Sequence, residues 1–144
     1  MKISAKTEYA CIAMLELAMQ HKSEEPVRIR EIAERHGVPP RFLVQILLQL
    51  KGAGLVTSVR GAAGGYHLLL PPEDISLGRV MEVIEGKLEE DAKSSSASLE
   101  SPIVRVLWQA WNDVTAAQYR VLRGLTLADL IEQAKSQNDP MYHI

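Results

Sequence analysis

Arg41, Gln45 and Gln49 follow one another at four-residue steps, so on a helix they share one stripe. Their end groups are fork-shaped. A guanidinium can donate twice to O6 and N7 of guanine, and a carboxamide can pair with N6 and N7 of adenine. Such a stripe suits the reading of base edges; a solvated surface stripe is the plainer alternative. A few residues later comes RGAAGGYHL, Arg60 to Leu68, with apolar runs on both sides at Gly54–Val59 and Tyr66–Leu70. Glycines lack a Cβ, so this backbone can approach a phosphate closely and offer it N–H groups. Arg60 can carry positive charge into a narrow minor groove, where the negative potential is greatest. A plain hairpin turn, with glycines supplying positive φ, is the alternative there. Position favours the first reading, because the loop follows a helix-turn-helix pattern at the spacing of a wing.

Other chemistries find little support. The histidines, His21, His36, His67 and His143, are scattered and have no carboxylate at metal-ligand spacing. No nucleophile elbow is present, and the glycine loop lacks the Lys-Ser/Thr continuation and the following helix of a phosphate-binding loop. Cys11 lies inside YACIAML and reads as a small buried residue rather than a redox centre. Trp108 and Trp111 could line a ligand pocket, but aromatics at helical spacing fit packing better. The expectation is no enzyme, no catalytic residue, no metal ligand and no cofactor.

These candidates need elements to hold them. Ser4 can cap a helix running to about Met19, with Tyr9, Ile12, Ala13, Leu15 and Met19 as its apolar face. A short helix over about Arg28–His36 ends at Gly37, and Val38-Pro39-Pro40 leads into a third helix that reaches about Lys51. Phe42, Leu43, Ile46, Leu47 and Leu50 are its expected inward face. Short helix, Gly-containing turn and second helix make a helix-turn-helix. Two strands flank the glycine loop, and Ile75–Glu85 reads as a fourth helix. Residues 87–101 read as an acidic, then serine-rich linker. Ser101-Pro102 starts a long helix on which Ile103, Leu107, Ala110, Val114, Ala117 and Val121 alternate steps of four and three, a heptad-like seam. A last helix covers about Thr126–Ser136, and Gln137–Ile144 reads as a frayed tail. The fold class is mainly α, with a small β-hairpin wing: a winged helix-turn-helix followed by a long helix.

Composition agrees. The chain has 144 residues, 47% of them apolar, and one cysteine, so an internal disulfide is excluded and a reducing, cytoplasmic setting is expected. No charged-then-apolar leader opens it, and no apolar run is long enough to span a membrane. The net charge of −2 is uneven: residues 1–70 hold nine Lys/Arg against six Asp/Glu, residues 71–144 seven against twelve. A polyanion would meet the first half.

The runs MKISAKTEYACIAMLELA, IREIAERHGVPPRFLVQILLQLKGAGLVTSVRGAAGGYHLLLPPEDISLGRVMEVIEG and VLWQAW resemble the Rrf-two family of bacterial winged-helix transcriptional regulators. The likeness covers Met1 to Gly86 closely and the later helices loosely; GLVTSVRGAAGGY and LPPEDISL are its most specific parts. It implies a DNA-binding domain over residues 1–86, a linker over 87–101 and a dimerisation helix with a last helix over 102–144. It further implies a homodimer on a near-palindromic operator in double-stranded DNA, acting as a repressor. By position, Arg41, Gln45 and Gln49 would face base edges and Arg60 would tip the wing. Gly61, Gly64, Gly65 and Tyr66 would shape the wing, and Lys6 and Tyr9 would touch phosphates. One departure is informative. Cluster-binding members carry three cysteines between the fourth helix and the long helix, and Gly86–Pro102 has none; Pro102 and Arg105 stand near the places of the last cysteine and of an iron-binding histidine. A cluster needs thiolates, so the resemblance implies a regulator that senses something else, a small molecule or a protein partner. A winged-helix module that binds protein rather than DNA is the competing reading, and salt dependence separates the two.

Overall fold

A computed structural model describes residues 1–86 and 95–137. Six helices and one hairpin follow in order: α1 (Ala5–Met19), α2 (Ile29–His36), α3 (Pro40–Gly52), β1 (Val56–Val59), β2 (Gly65–Leu68), α4 (Leu77–Glu85), α5 (Pro102–Gly124) and α6 (Leu127–Gln137). Of the expected linker, residues 87–94 lie outside the described residues, as do residues 138–144 of the tail; residues 95–101 form bends and turns.

Local chemistry explains most boundaries. The Ser4 hydroxyl accepts from the Thr7 N–H, and Ser76 accepts from the Arg79 N–H, so α1 and α4 start on side-chain caps. Ser101 is the N-cap of α5 by backbone alone, without a bond from its hydroxyl, and Pro102 stands in the first turn. Gly37 closes α2 at φ 67°.

α1 lies at the centre, packed by α2, α3, α4, α6 and β2. Its buried apolar positions are therefore Ala10, Ala13, Met14, Leu17 and Ala18, while Tyr9, Ile12 and Leu15 are half-buried and Met19 is exposed. The single stripe expected from periodicity is the edge of a wider buried surface, because partners surround the helix. Leu43, Ile46, Leu47 and Leu50 of α3 meet it with no exposed surface. Leu127 and Ile131 of α6 enter this same core. Ser76 and Thr126 form an isolated bridge, and the Leu127 N–H donates to the Ile75 carbonyl at 2.9 Å. Chain order groups α6 with α5, but its packing is with the first 86 residues.

Glu16 fastens α1 to the end of α2. Its carboxylate, only 6% exposed, accepts from Arg35 Nη1 at 3.1 Å and Gln20 Nε2 at 3.2 Å, and meets His36 Nε2 at 2.9 Å. Burial alone would raise its pKa; the hydrogen bonds from His36 and Gln20 and the charge of Arg35 overcome that and hold it below the ordinary 4.5. A depressed carboxylate stabilises the fold above its unfolded pKa, and that contribution is lost as pH falls through the folded value. Glu16→Gln is thus expected to cost ~1–2 kcal/mol at neutral pH. It should also flatten the loss of stability that acid titration of the wild-type protein shows below the ordinary carboxylate value. Denaturant unfolding at several pH values checks both.

Candidate nucleic-acid interface

α2, the turn at Gly37–Pro39 and α3 form the helix-turn-helix. The faces of α3 divide cleanly. Leu43, Ile46, Leu47 and Leu50 point into the core, and Arg41, Gln45 and Gln49 are exposed on the opposite side. Two apolar residues join that exposed face: Val44 (47% exposed) and Leu48 (57%). Leu48 sits four residues after Val44 and three after Gln45, in the middle of the polar stripe. Sequence inspection passed over both, because an aliphatic residue on a mostly apolar helix looks like core. The available signal was the length of the run, since FLVQILLQL holds more apolar residues than one buried face can take.

Phe42 departs from expectation. It is half-exposed rather than core: its ring lies 5.6 Å from that of Tyr9 at 46°, and the Arg41 guanidinium stands 5.1 Å from its centroid. Phe42 falls at the border between the buried and exposed faces of α3. Tyr9 is accordingly half-buried, joining α1 to the start of α3. Lys6 is half-buried in the first turn of α1. Nearby, Ser4 and Thr7 donate to the Glu85 carboxylate, which those bonds and Lys6 hold below its ordinary pKa.

The hairpin is antiparallel, pairing Val56 with Leu68, Thr57 with His67, Ser58 with Tyr66 and Val59 with Gly65. It is fixed twice, both times at the Ser58–Tyr66 pair. Lys51 Nζ donates to Ser58 Oγ at 2.7 Å, tying the end of α3 to β1. Val27 and Tyr66 exchange N–H···O bonds of 2.9 and 2.8 Å, tying β2 to the segment that leads into α2. The tip, Arg60 to Ala63, is exposed. Gly61 takes φ 105°, which an L side chain rarely adopts, and has open space around it. Gly64 and Gly65 are needed for internal packing: a Cβ on Gly64 would stand 2.3 Å from the Val59 carbonyl oxygen, and one on Gly65 2.5 Å from that of Val27. Thus only Gly61 fits the expected part of a bare, outward-facing backbone; Gly64 and Gly65 close the loop onto itself and onto the helix-turn-helix. The wing arginine, the α3 stripe and the turn are thereby held on one small frame.

Residues 3–133 match the family profile described as Rrf2, iron-dependent transcriptional regulator. The chain belongs to the Rrf2 family. Protein rrf2 of Nitratidesulfovibrio vulgaris is 35% identical over 93% of this chain and 89% of its own length. The HTH-type transcriptional regulator IscR of Aliivibrio salmonicida is 33% identical over 91% and 77%. Among solved structures, CymR, the global cysteine regulator of B. subtilis, superposes with a TM-score of 0.79 at 34% identity, covering 92% of this chain and 98% of that one. T. potens IscR does so at 0.78, also 34% identical, over 99% and 96%. The fold is the Rrf2 winged helix, and the protein is a DNA-binding transcriptional regulator.

The iron in the Rrf2 description raises the question of a donor set. An iron–sulfur centre needs several thiolates, and this chain has one cysteine, Cys11. It lies half-buried in the middle of α1, where burial and, less, the charge of Glu8 push its thiol up to about 11. A thiol so hard to ionise is a poor ligand. Among the described residues no three His, Cys, Asp or Glu side chains are grouped to hold a metal ion. These residues do not fit a cluster.

α5 carries the second surface. Ile103 (81% exposed), Leu107, Val114 and Val121 stand in solvent, with Ala110 exposed and Ala117 half-buried between them. Val106 and Trp111 widen the stripe beyond the expected seam. Trp108 is half-buried, edge-on to Trp111 with centroids 5.2 Å apart. The opposite side, with Tyr119 and Leu122, is buried against α4. No described helix is long and apolar enough to cross a membrane.

Proposed function

We propose that the protein works in the cytoplasm as a cluster-free homodimeric repressor. The α5 stripes of two copies pack together, and the paired α3 helices enter successive major grooves of a near-palindromic operator, about 34 Å apart. Arg41, Gln45 and Gln49 address base edges, Val44 and Leu48 suit thymine methyl groups, and Arg60 enters the flanking minor groove. Lys6 and Tyr9, at the start of α1, are the candidates for phosphate contact. The observation that carries this reading is the face of α3. Fork-shaped donors and bare aliphatics are exposed together opposite a fully buried side, and no described part of the chain covers them.

The test begins with genomic fragments selected by the purified protein, which yields the operator. Arg60→Ala is expected to weaken its binding and, since the homodimer carries two copies of Arg60, to lower the slope of log affinity against log salt by about 2. Gln45→Ala is expected to relax preference by ~1–3 kcal/mol at one base pair of each half-site and leave the others unchanged. Wild-type affinity and selectivity in both variants would remove these residues from the interface.

A further inference from the structure

A cavity of about 240 Å³ opens between α1, α2 and α6, away from both surfaces described above. Ile12, Leu15, Leu130 and Ile131 form apolar walls, and Glu16 and His36 form the one polar end. The space exceeds the ~150 Å³ in which an apolar protein cavity accepts benzene.

The polar end narrows the chemistry. Glu16 is buried and, with its pKa held down, ionised, so it can only accept hydrogen bonds. A carboxylate has about four acceptor positions. Oε2 takes two donors, Arg35 and Gln20, whereas Oε1 meets His36 alone. An anionic guest would add an unmatched charge beside a Glu16 whose own charge Arg35 already balances, between mainly apolar walls. A cationic guest would find the Glu16 charge already matched by Arg35. A pure hydrocarbon would leave the spare acceptor capacity of Oε1, which meets His36 alone, unused. A neutral molecule with one donor satisfies all three conditions.

We infer that this cavity binds a small, neutral, mainly apolar molecule bearing a single N–H or O–H donor, of phenol to indole size, and that occupancy alters operator affinity. The second part rests on the DNA-binding reading. A guest there touches α6, which directly follows α5, and the end of α2, which leads through Gly37–Pro39 into α3. It therefore bears on both ends of the path between the α5 stripe and the DNA-facing helix.

Methyl NMR of the full chain tests this with three probes: indole, its donor-free isostere indene, and benzoate. Indole is expected to shift the Ile12, Leu15, Leu130 and Ile131 methyl signals saturably, indene to bind at least about ten-fold more weakly for want of the hydrogen bond, and benzoate to have no effect. Ala134, exposed on α6 at the rim, provides the blocking variant. Ala134→Trp should abolish the indole response while Tm moves by no more than about 3 °C. Silence toward millimolar indole, equal binding of indole and indene, or an undiminished response in Ala134→Trp would overturn the site. So would loss of the indole response as protein concentration rises, which would mean that a second copy fills the cavity. Saturating indole is also expected to change affinity for the selected operator at least about three-fold, a modest coupling. Tight indole binding with unchanged operator affinity would overturn the regulatory part alone. Failure of the free protein to bind any DNA fragment would instead strike the function proposed above and leave the indole result standing.

Discussion

Val114→Glu is expected to yield a folded monomer that binds the operator roughly 100-fold more weakly than the wild-type protein, or worse, through loss of the avidity that links two half-sites. Val114 lies near the middle of the exposed α5 stripe and belongs to no buried cluster. The substitution should therefore leave the core intact: circular dichroism and the unfolding midpoint of the helical signal should change little. What changes is the surface. Each copy would bring a carboxylate into a seam of Ile103, Leu107, Val121 and their neighbours, where neither charge has a partner and desolvation is costly. Sedimentation should show the monomer where the wild type shows a dimer, and footprinting should show the palindrome protected only at high protein concentration. Val114→Leu, which keeps the apolar seam, should keep both dimer and affinity. A Val114→Glu protein that still sediments as a dimer would place the interface elsewhere than α5.

How much of this was legible beforehand depends on the kind of signal. Two helix starts announced themselves through local chemistry: Ser4 and Pro102 each mark a boundary within a residue or two, whereas the Ser76 cap of α4 emerged only in the structure. The helix-turn-helix was legible because Gly37 and the Pro39-Pro40 pair leave few ways to join two helices. The α5 stripe was legible because a helix face with no partner among the described residues keeps a heptad-like period. The losses come where several neighbours share one element. α1 is packed from many sides, so its apolar residues encode more than one face, and the one stripe taken from them was incomplete. On α3 the same ambiguity hid Val44 and Leu48, since an aliphatic side chain on an exposed face and one facing a core have the same identity. Glu16 and His36 lie twenty residues apart and meet only through tertiary packing. No spacing rule connects them, and the cavity beside them is closed by α6, from the far end of the chain.

The glycine loop gives a sharper instance, because its residues were legible as a group and divide by role only in three dimensions. Gly65→Ala is expected to destabilise the protein by ~2–3 kcal/mol, with the clash rather than lost flexibility as the cause. The added Cβ would meet the Val27 carbonyl oxygen at 2.5 Å and its carbonyl carbon at 2.7 Å. Both are backbone atoms, so no rotamer change can relieve the contact. The chain must move, and what moves is the bridge between Val27 and Tyr66 that anchors β2 beside the start of α2. Two measurements should then change together. Amide exchange at Val27 and Tyr66 should quicken, and operator affinity should fall, because Arg60 is no longer held in fixed relation to α3. The contrast with Arg60→Ala separates positioning from charge. Arg60→Ala should lower the salt slope while leaving the Val27 and Tyr66 amides protected. Gly65→Ala should expose those amides while the arginine is still present. If Gly65→Ala instead binds the operator as the wild type does, the wing does not need its anchor. DNA recognition would then rest on α3 alone.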